Sequence, residues 1–231
     1  MAVQAAHQGK PRVLEANEKW PYPAHLDGLV LSHNALRRDM KDMLRATQAL
    51  QQQVSSGGPL EAWQVSSLQR YWRGYIERVM EHHSIEEEHF FPFVEQRARM
   101  PLLLSEQHGV LHDSLDVCDA AMANLVATGA VGHDAQLLDA LMGPYAELLK
   151  LKSEHFTAEE QVGLPLFREH FALKDYQPLQ DTINASLSPG HKASFFHAMS
   201  SKTRTEFCRM HGVPKLALLL TIMPGVRKFD R

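Results

Sequence analysis

The feature of this sequence that most constrains its fold is a short motif that occurs twice, a histidine followed four residues later by a glutamate. It occurs at His82 and Glu86 and again at His155 and Glu159, each time with a proline ten residues after the histidine. Residues four apart lie on the same face of an α-helix, so each pair can direct both side chains at one point. The motif therefore predicts two helices that present metal-ligating groups to a shared interior.

The spacing of apolar residues predicts an all-α fold. Apolar side chains recur every three or four residues through most of the chain, which is typical of helices with one buried face. Breaks rich in glycine, serine and proline divide this pattern into four long helices, at about residues 24–54, 60–96, 101–127 and 133–170. Long helices joined by such short breaks form an up-down antiparallel four-helix bundle.

The two ends of the chain differ from this bundle. Three prolines interrupt any helix near the N-terminus, where Trp20 and Tyr22 can anchor an extended arm. Residues 172–187 are expected to be a linker, and Ser188, followed by proline, is a good start for a helix that continues to Gly212. We therefore divide the chain into an extended N-terminal arm, a helical bundle, and a linker with a basic helical C-terminal extension, at residues 1–23, 24–171 and 172–231.

Charge is unevenly distributed along the chain. Residues 1–187 carry a net charge of −9, and residues 188–231 carry a net charge of +6. We expect the basic extension to lie on the acidic body of its own chain, and the alternatives are an acidic partner or a second copy of the protein. The overall balance argues against nucleic-acid binding by the whole protein.

Composition also bears on where the protein works. No apolar stretch approaches the length of a membrane span, and the first twenty residues lack the apolar run of a signal peptide. The two cysteines, Cys118 and Cys208, have neither metal-binding nor redox spacing, which fits a reducing compartment. We therefore expect a cytoplasmic protein.

Polar residues occupy inward-facing positions on all four predicted helices. Burial of such groups is costly unless they are paired or bind a metal ion. In an antiparallel helix pair, residues equidistant from the connecting turn lie at the same height, and the midpoints of histidine pairs on successive helices fall in or close to the three breaks. We therefore expect seven side chains to meet in one layer as metal ligands: His33, His82, Glu86, His108, His112, His155 and Glu159.

This set of ligands predicts two metal ions. Five imidazoles and two carboxylates are too many for one tetrahedral zinc site, and they suit two ions bridged by the carboxylates. Imidazole together with carboxylate favours iron, and manganese or a mixed pair is an alternative. A ferritin-like di-iron site needs two Glu-x-x-His motifs, whereas this chain has one, at Glu86 and His89. The sequence therefore argues against a ferritin-like site.

Further ionisable residues flank the expected ligands. His83, Glu87 and Glu160 each follow one of them directly in the sequence, and we expect all three on a solvated face. The alternative is that His83 and Glu87, which have the same spacing, replace His82 and Glu86 as ligands.

The order of these ligands resembles that of a known family. One histidine, then His-x-x-x-Glu, His-x-x-x-His and His-x-x-x-Glu, is similar to the hemerythrin-like (HHE cation-binding) domain, and the resemblance covers about residues 24–171. It implies a non-haem di-iron centre inside a four-helix bundle, with Glu86 and Glu159 bridging the irons. By this resemblance the first iron would be held by His108, His112 and His155, and the second by His33 and His82.

The resemblance implies reversible binding of dioxygen, or a similar diatomic ligand, for storage, transport or sensing. We expect the iron with two histidines to keep a coordination position open for this ligand. Apolar side chains such as Phe90, Leu111 and Leu148 would surround that position. True hemerythrins have an aspartate five residues after the last histidine, whereas this chain has Glu159 four residues after it. The alternative is a di-iron enzyme or iron-handling protein acting on nitric oxide, peroxide or iron-cluster repair. Because no redox cysteine pair is present, we expect a binding protein and not an enzyme.

Overall fold

The computed structural model describes residues 12–128, 134–214, 216 and 218–229. Every regular element within these ranges is helical, which confirms the all-α prediction. The first eleven residues of the expected arm, and the break expected at residues 129–132, lie outside the described ranges. No helix that the structure describes is long and apolar enough to cross a membrane.

Four long helices and their continuations form the core. The long helices are α1 Gly28–Ser55, α2 Ala62–Ile85, α4 Leu102–Thr128 and α5 Asp134–Ala158. α2 and α5 each continue through one π-helical turn, Glu86–Phe90 and Glu159–Gly163, into the short helices α3 Phe91–Glu95 and α6 Leu164–His170. The pairs α1–α2, α2–α4, α4–α5 and α1–α5 are in contact.

Local sequence signals set the first helix boundaries. The side chain of Asp27 caps α1 by accepting a hydrogen bond from the Leu29 amide at 3.2 Å. After α1 the backbone enters the left-handed region at Gly57 (φ 83°), a conformation that glycine adopts without strain. Glu61 and Gln64 then form a capping box at the start of α2. These signals lie at the first break that the sequence predicts.

The two π-helical turns explain why both copies of the motif are followed by a proline. In each turn the amide of the residue before the proline bonds back five residues to the motif glutamate, from Phe91 to Glu86 and from Leu164 to Glu159. Proline donates no backbone hydrogen bond and crowds the carbonyl four residues earlier, and a wider turn relieves both constraints. Such turns frequently mark functional sites, and both begin here at a predicted ligand.

Two apolar clusters fill the core on either side of a polar layer. The larger cluster includes one residue from each long helix, Leu36, Val79, Leu111 and Leu148. The second includes Phe90, Leu104 and Leu164, together with Trp20 and Tyr22 from the arm. Along the chain, five predicted ligands lie between residues of the two clusters: His33, His82, Glu86, His108 and Glu159. His112 and His155 are instead flanked on both sides by residues of the larger cluster.

The N-terminal arm is anchored at the two aromatic residues that the sequence indicates. Trp20 and Tyr22 are fully buried. The indole N–H of Trp20 donates to the Phe171 carbonyl at 2.9 Å, and the buried Arg168 donates to the Tyr22 carbonyl at 2.6 Å. The guanidinium of Arg168 also lies 4.8 Å from the Trp20 ring, a favourable cation–π distance. The arm is thus tied to the end of α6, beside the second cluster.

The segment expected to be a linker is helical. In α7, Leu173–Ser186, Asp175 accepts a hydrogen bond at 3.2 Å from the amide three residues earlier. Tyr176 packs with its ring centroid 5.0 Å from that of Phe167. A short helix that contains Pro178 has little stability of its own, so packing against the rest of the protein stabilises α7. The spacing of apolar residues does not reveal this packing.

The C-terminal extension packs on α1 and α2 of the same chain, in agreement with the expectation for the basic segment. Ser188 caps its first helix as predicted, but the helix does not continue to Gly212. The backbone is extended at Met199, and Ser200 caps a new helix by accepting a hydrogen bond from the amide three residues later. The helices of the extension are α8 Pro189–Ala198, α9 Ser201–Met210 and α10 Met223–Phe229.

Candidate metal centre

The polar layer brings six of the seven expected ligands together. Two groups of buried residues have ligand atoms that all lie within 4.8 Å of one another. The first group contains His33, His82, Glu86 and Glu159, and the second contains His83, Glu86, His108 and His155. One glutamate, Glu86, belongs to both groups. His112 is the expected ligand that lies in neither.

In the first group, imidazole nitrogens point at carboxylate oxygens. Nε2 of His33 lies 3.1 Å from an oxygen of Glu159 and 3.8 Å from Oε1 of Glu86. Nε2 of His82 lies 3.2 Å from the same Oε1 atom. Because these atoms carry lone pairs and face a common space, the four side chains can surround one cation.

The second group has the same character. Nε2 of His108 and Nε2 of His155 are 3.1 Å apart. His155 lies 3.3 Å from Glu159, and His108 lies 3.5 Å from Glu86 and 3.8 Å from Glu159. Both glutamates therefore approach histidines of both groups, which is the placement that bridging carboxylates require.

Several atoms of the layer are buried without a hydrogen-bonding partner among the described residues. They are Nε2 of His33, His82 and His83 and both carboxylate oxygens of Glu86 and Glu159. Leaving a buried polar atom unpaired costs roughly 1–3 kcal/mol, and more for a charged group. Imidazole nitrogens and carboxylate oxygens are donors that iron and related transition metals accept. The unpaired donor set thus fits two metal cations.

Without metal, protons supply part of the positive charge of the layer. Burial disfavours the imidazolium of His33, but the nearby carboxylates of Glu159, Glu160 and Glu86 outweigh burial and raise the pKa of His33 to about 10. The same balance raises the pKa of His108 to about 10. Burial lowers the pKa of His155 to about 4 and also lowers the pKa of His82 well below its usual range. Metal ligation requires neutral imidazoles, so metal binding displaces protons from His33 and His108.

Two further carboxylates hold histidines of the layer from behind. Glu160 lies 2.8 Å from Nδ1 of His33, and Arg37 donates to the same Glu160 oxygen at 2.7 Å. Glu87 lies 2.7 Å from Nδ1 of His108. Glu87 is exposed, as we expected, and Glu160 is half-buried, yet each also reaches a histidine of a neighbouring helix. A carboxylate at Nδ1 fixes the tautomer and orients Nε2 toward the metal.

His83 and His112 are placed differently from the prediction. His83, expected on a solvated face, is only 2% exposed, and its ring stacks on that of His108 with centroids 4.1 Å apart. It does not replace His82, because both residues are buried in the layer. Nε2 of His112 is paired with Nδ1 of His83 at 2.9 Å. His112 therefore lies behind His83, whose ring already occupies the space beside His108.

The two halves of the layer have the same arrangement of stacked rings but differ in the number of imidazole ligands. Phe156 stacks on His33 with ring centroids 4.2 Å apart, much as His83 stacks on His108. One half therefore has a hydrocarbon ring where the other has an imidazole. As a result, the His33 group offers two imidazoles and the His108 group offers three.

Lys152 is a buried amine near the layer that the sequence analysis did not single out. It is 2% exposed, and its Nζ has no hydrogen-bonding partner among the residues that the structure describes. Nζ lies 5.2 Å from the ring centroid of Tyr75 and 5.0 Å from that of Phe156. Burial lowers the pKa of Lys152 to about 7, although Glu86 and Glu159 favour its charged form. Such an amine can exchange a proton near neutral pH.

Replacing Lys152 with methionine is expected to remove part of the pH dependence of the stability of the metal-free protein. The folded-state pKa of about 7 lies below the ordinary value of 10.5, so between these values the unfolded chain binds a proton that the folded chain does not. The free energy of unfolding of the unmodified protein should therefore rise by about 2 kcal/mol from pH 7 to pH 9, relative to Lys152→Met. Urea denaturation of both proteins with a chelator present measures this difference. Parallel pH profiles would contradict it.

A repeated glutamate doublet is the sequence signal that could have revealed the two carboxylates that bond to Nδ1 of the layer histidines. Glu87 follows Glu86 as Glu160 follows Glu159, so the extra carboxylate occupies the same place in both copies of the motif. No comparable repeat marks Lys152, whose burial became evident only from the packing around it.

Comparison with known proteins identifies the family. Residues 24–167 match the hemerythrin HHE cation-binding domain. No curated protein and no solved structure matches the chain. The matched range includes the four long helices, both π-helical turns of the core and both ligand groups, whereas the C-terminal extension lies outside it. The chain therefore belongs to the hemerythrin HHE cation-binding family.

Proposed function

We propose that this chain is a non-haem di-iron protein that binds dioxygen, or a similar small diatomic ligand, reversibly for storage, transport or sensing. Two iron ions would supply an exchangeable coordination position for such a ligand. One iron would be held by His33 and His82, the other by His83, His108 and His155, with Glu86 and Glu159 shared between them. In this assignment His112 supports His83 from behind. Manganese or a mixed pair suits the same donors, and the metal content of the purified protein distinguishes these cases.

The observation that carries the proposal is the unequal number of imidazoles in the two groups. The group that contains His33 has one histidine fewer than the group that contains His108. Because Glu159 also lies 3.3 Å from His155 and 3.8 Å from His108, both glutamates can serve either ion, and the ion beside His33 then has fewer protein ligands. A metal ion with fewer protein ligands retains a position for an exogenous ligand. Because Glu160 and Arg37 hold the ring of His33 from behind, its Nε2 is oriented before any metal arrives.

Apolar side chains around the layer support the binding of a small neutral ligand. Leu111 and Leu148, which we expected to fence the ligand position, are buried in the larger cluster, and Phe90 is buried in the second. Phe156 covers one face of the His33 ring. Such walls exclude water and charged species more strongly than they exclude a neutral diatomic molecule.

We also propose that the four long helices form an up-down antiparallel bundle. Followed along the chain, α1 and α4 lead from the second cluster toward the larger one, and α2 and α5 lead in the opposite direction. Contacts between successive long helices, and between the first and the last, are typical of this arrangement.

We place the protein in the cytoplasm, as the sequence suggested. Cys118 and Cys208 are both buried as free thiols. Free thiols are usual in reducing compartments, whereas secreted proteins commonly use their cysteines in disulfides.

An anaerobic optical titration tests the proposed function. Protein loaded with ferrous iron under nitrogen is expected to develop a visible absorption band when air is admitted and to lose it on degassing, through repeated cycles. The iron content of the desalted protein, measured first, is expected to be about two per chain, because two donor groups are present. A band that persists after degassing would contradict reversible binding, and a protein that retains no metal would overturn the metal centre itself.

A second candidate, an enzyme that reduces peroxide or nitric oxide, is favoured by one specific observation. Those reductions consume protons, and Lys152 is a buried amine near the layer whose pKa of about 7 suits proton transfer at neutral pH. The same titration separates the candidates, because an enzyme should convert the ferrous protein irreversibly on exposure to oxidant. In that case Lys152→Met should slow the conversion and alter its pH profile, while the iron content stays unchanged.

A further inference from the structure

A cavity of about 310 Å³ lies between the helical core and the C-terminal extension. Its inner wall is formed by the start of α1 and by the end of α2 with its π-helical turn, and its outer wall by α7, α8 and α9. The outer wall lies beyond residue 167, where the family match ends. A volume of this size suits a small organic molecule and exceeds what a diatomic ligand needs.

Most of the cavity wall is apolar and much of it is aromatic. Phenylalanines from both the core and the extension line it, and aliphatic side chains of α7 and the segment after it complete the wall. Representative lining residues are Phe90, Ile183, Leu187, Phe195, Phe196 and Phe207. Such a wall favours a flat hydrocarbon body, which can pack edge to face against phenylalanine rings.

The polar atoms that remain unpaired in this wall are hydrogen-bond acceptors. Gln180 is 7% exposed, and its side-chain carbonyl oxygen has no partner among the described residues. Nε2 of His211 is also unpaired, and burial lowers the pKa of that ring. A neutral imidazole accepts a hydrogen bond at one of its two nitrogens. Oδ2 of Asp27 is a third buried oxygen without a hydrogen bond among the residues that the structure describes. An occupant that donates a hydrogen bond would satisfy one of them.

The wall of the cavity carries charges of both signs. Lys192 and Asp181 line the same wall, and Asp27 already faces Arg168 with their nearest charged atoms 3.8 Å apart. His82 and Glu86 also line the cavity. A hydroxyl group donates a hydrogen bond without bringing a positive charge of its own.

We propose that this cavity is a binding site for a small neutral phenol, whose ring packs among the phenylalanines and whose hydroxyl donates to Gln180. The occupant lies against the side of the polar layer that contains His82 and Glu86. The site goes beyond the proposed function, and it does not depend on it, because the cavity and its unpaired acceptors are present without metal.

Calorimetric titration of the full-length protein with three related probes tests the site. The probes are 4-ethylphenol, its methyl ether 4-ethylanisole, which cannot donate a hydrogen bond, and ethylbenzene. The phenol is expected to bind with a Kd below about 1 mM, and the ether about five-fold more weakly, since a net hydrogen bond contributes about 1 kcal/mol. Equal binding of the phenol and its ether, or no binding of any probe, would overturn the proposal.

Substitutions locate the bound phenol. Gln180→Met should weaken phenol binding to the level of the ether and leave ether binding unchanged, whereas the matched control Gln96→Met, at an exposed position, should change neither. Ile183→Trp should fill the cavity and reduce the binding of all three probes at least ten-fold, with helix content unchanged by circular dichroism. A Kd for the phenol that changes in neither Gln180→Met nor Ile183→Trp would refute the assignment to this cavity.

Repeating the titration with and without ferrous iron, under nitrogen, separates this proposal from the proposed function. Binding of the phenol in both forms is the expected result. Binding that requires iron and is insensitive to Gln180→Met would mean that the phenol ligates the metal, which rejects the cavity site and leaves the metal centre intact. A protein that binds the phenol but retains no iron would refute the proposed function and leave the cavity site standing.

Discussion

Replacing Glu86 with alanine is expected to remove tightly bound metal from both halves of the polar layer. Glu86 is the one residue that belongs to both ligand groups, and neither of its oxygens has a hydrogen-bonding partner among the described residues. Loss of a residue that only hydrogen-bonds to a metal ligand already weakens metal binding by roughly 10- to 100-fold. Loss of a ligand shared by both ions should therefore weaken it by roughly 100-fold or more. Iron per chain after desalting should fall from about two to well below one.

Two comparison variants make this result specific to ligation. Glu86→Gln keeps the shape of the side chain but removes its charge, and it should lose metal nearly as completely as alanine. Glu88 lies in the same π-helical turn, where its carboxylate is exposed and accepts a hydrogen bond from Ser84 at 2.6 Å. Glu88→Ala should therefore retain full metal content. Full retention of iron by Glu86→Ala, with normal helix content, would show that the layer does not bind metal through this residue.

Replacing His83 with alanine is expected to weaken the second metal position more than replacing His112. His83 is buried, and its Nε2 has no hydrogen-bonding partner among the residues that the structure describes, whereas Nε2 of His112 is already paired with His83. We expect a 10- to 100-fold loss of affinity for one of the two ions in His83→Ala and a loss of at most about ten-fold in His112→Ala. Competition with a chromogenic chelator measures both affinities.

This comparison decides between two readings of the centre. The order of motifs along the chain favours His112 as a direct ligand, whereas in the structure His83, and not His112, belongs to the second group of candidate ligands. A larger loss in His112→Ala would mean that the imidazole of His112 displaces that of His83 when the ion binds. Val110→Ala, an exposed position on the same helix, provides the control and should leave both affinities unchanged.

The helical class and the height of the polar layer could be predicted because both depend on short-range geometry. A period of three to four residues identifies helices, and the distance of His33 and His82 from the break at Gly57 sets them at one level. The same reasoning relates His108 and His155 across the next helix pair. The structure brings these four histidines into contact distance of the two motif glutamates.

The choice between adjacent residues could not be predicted in this way. His82 and His83 are neighbours on α2 and differ by about 100° in direction, so each must face a different helix. Both are buried because α2 lies against α1 on one side and α4 on the other. Similarly, Glu87 and Glu160 appear solvent-exposed on their own helices and reach their histidines only because another helix lies within range.

By itself, the sequence determined the helical fold, the two motif copies with their prolines, and the presence of a ligand-rich layer, since all of these follow from periodicity and local turn chemistry. Tertiary structure alone decided that α7 is a helix, that Lys152 is buried near the layer, and that the extension encloses a cavity. These features depend on contacts between segments far apart in the chain, such as Tyr176 with Phe167 and the packing of α8 on α1. The free energy of such contacts comes from surfaces buried between elements, which no local pattern encodes.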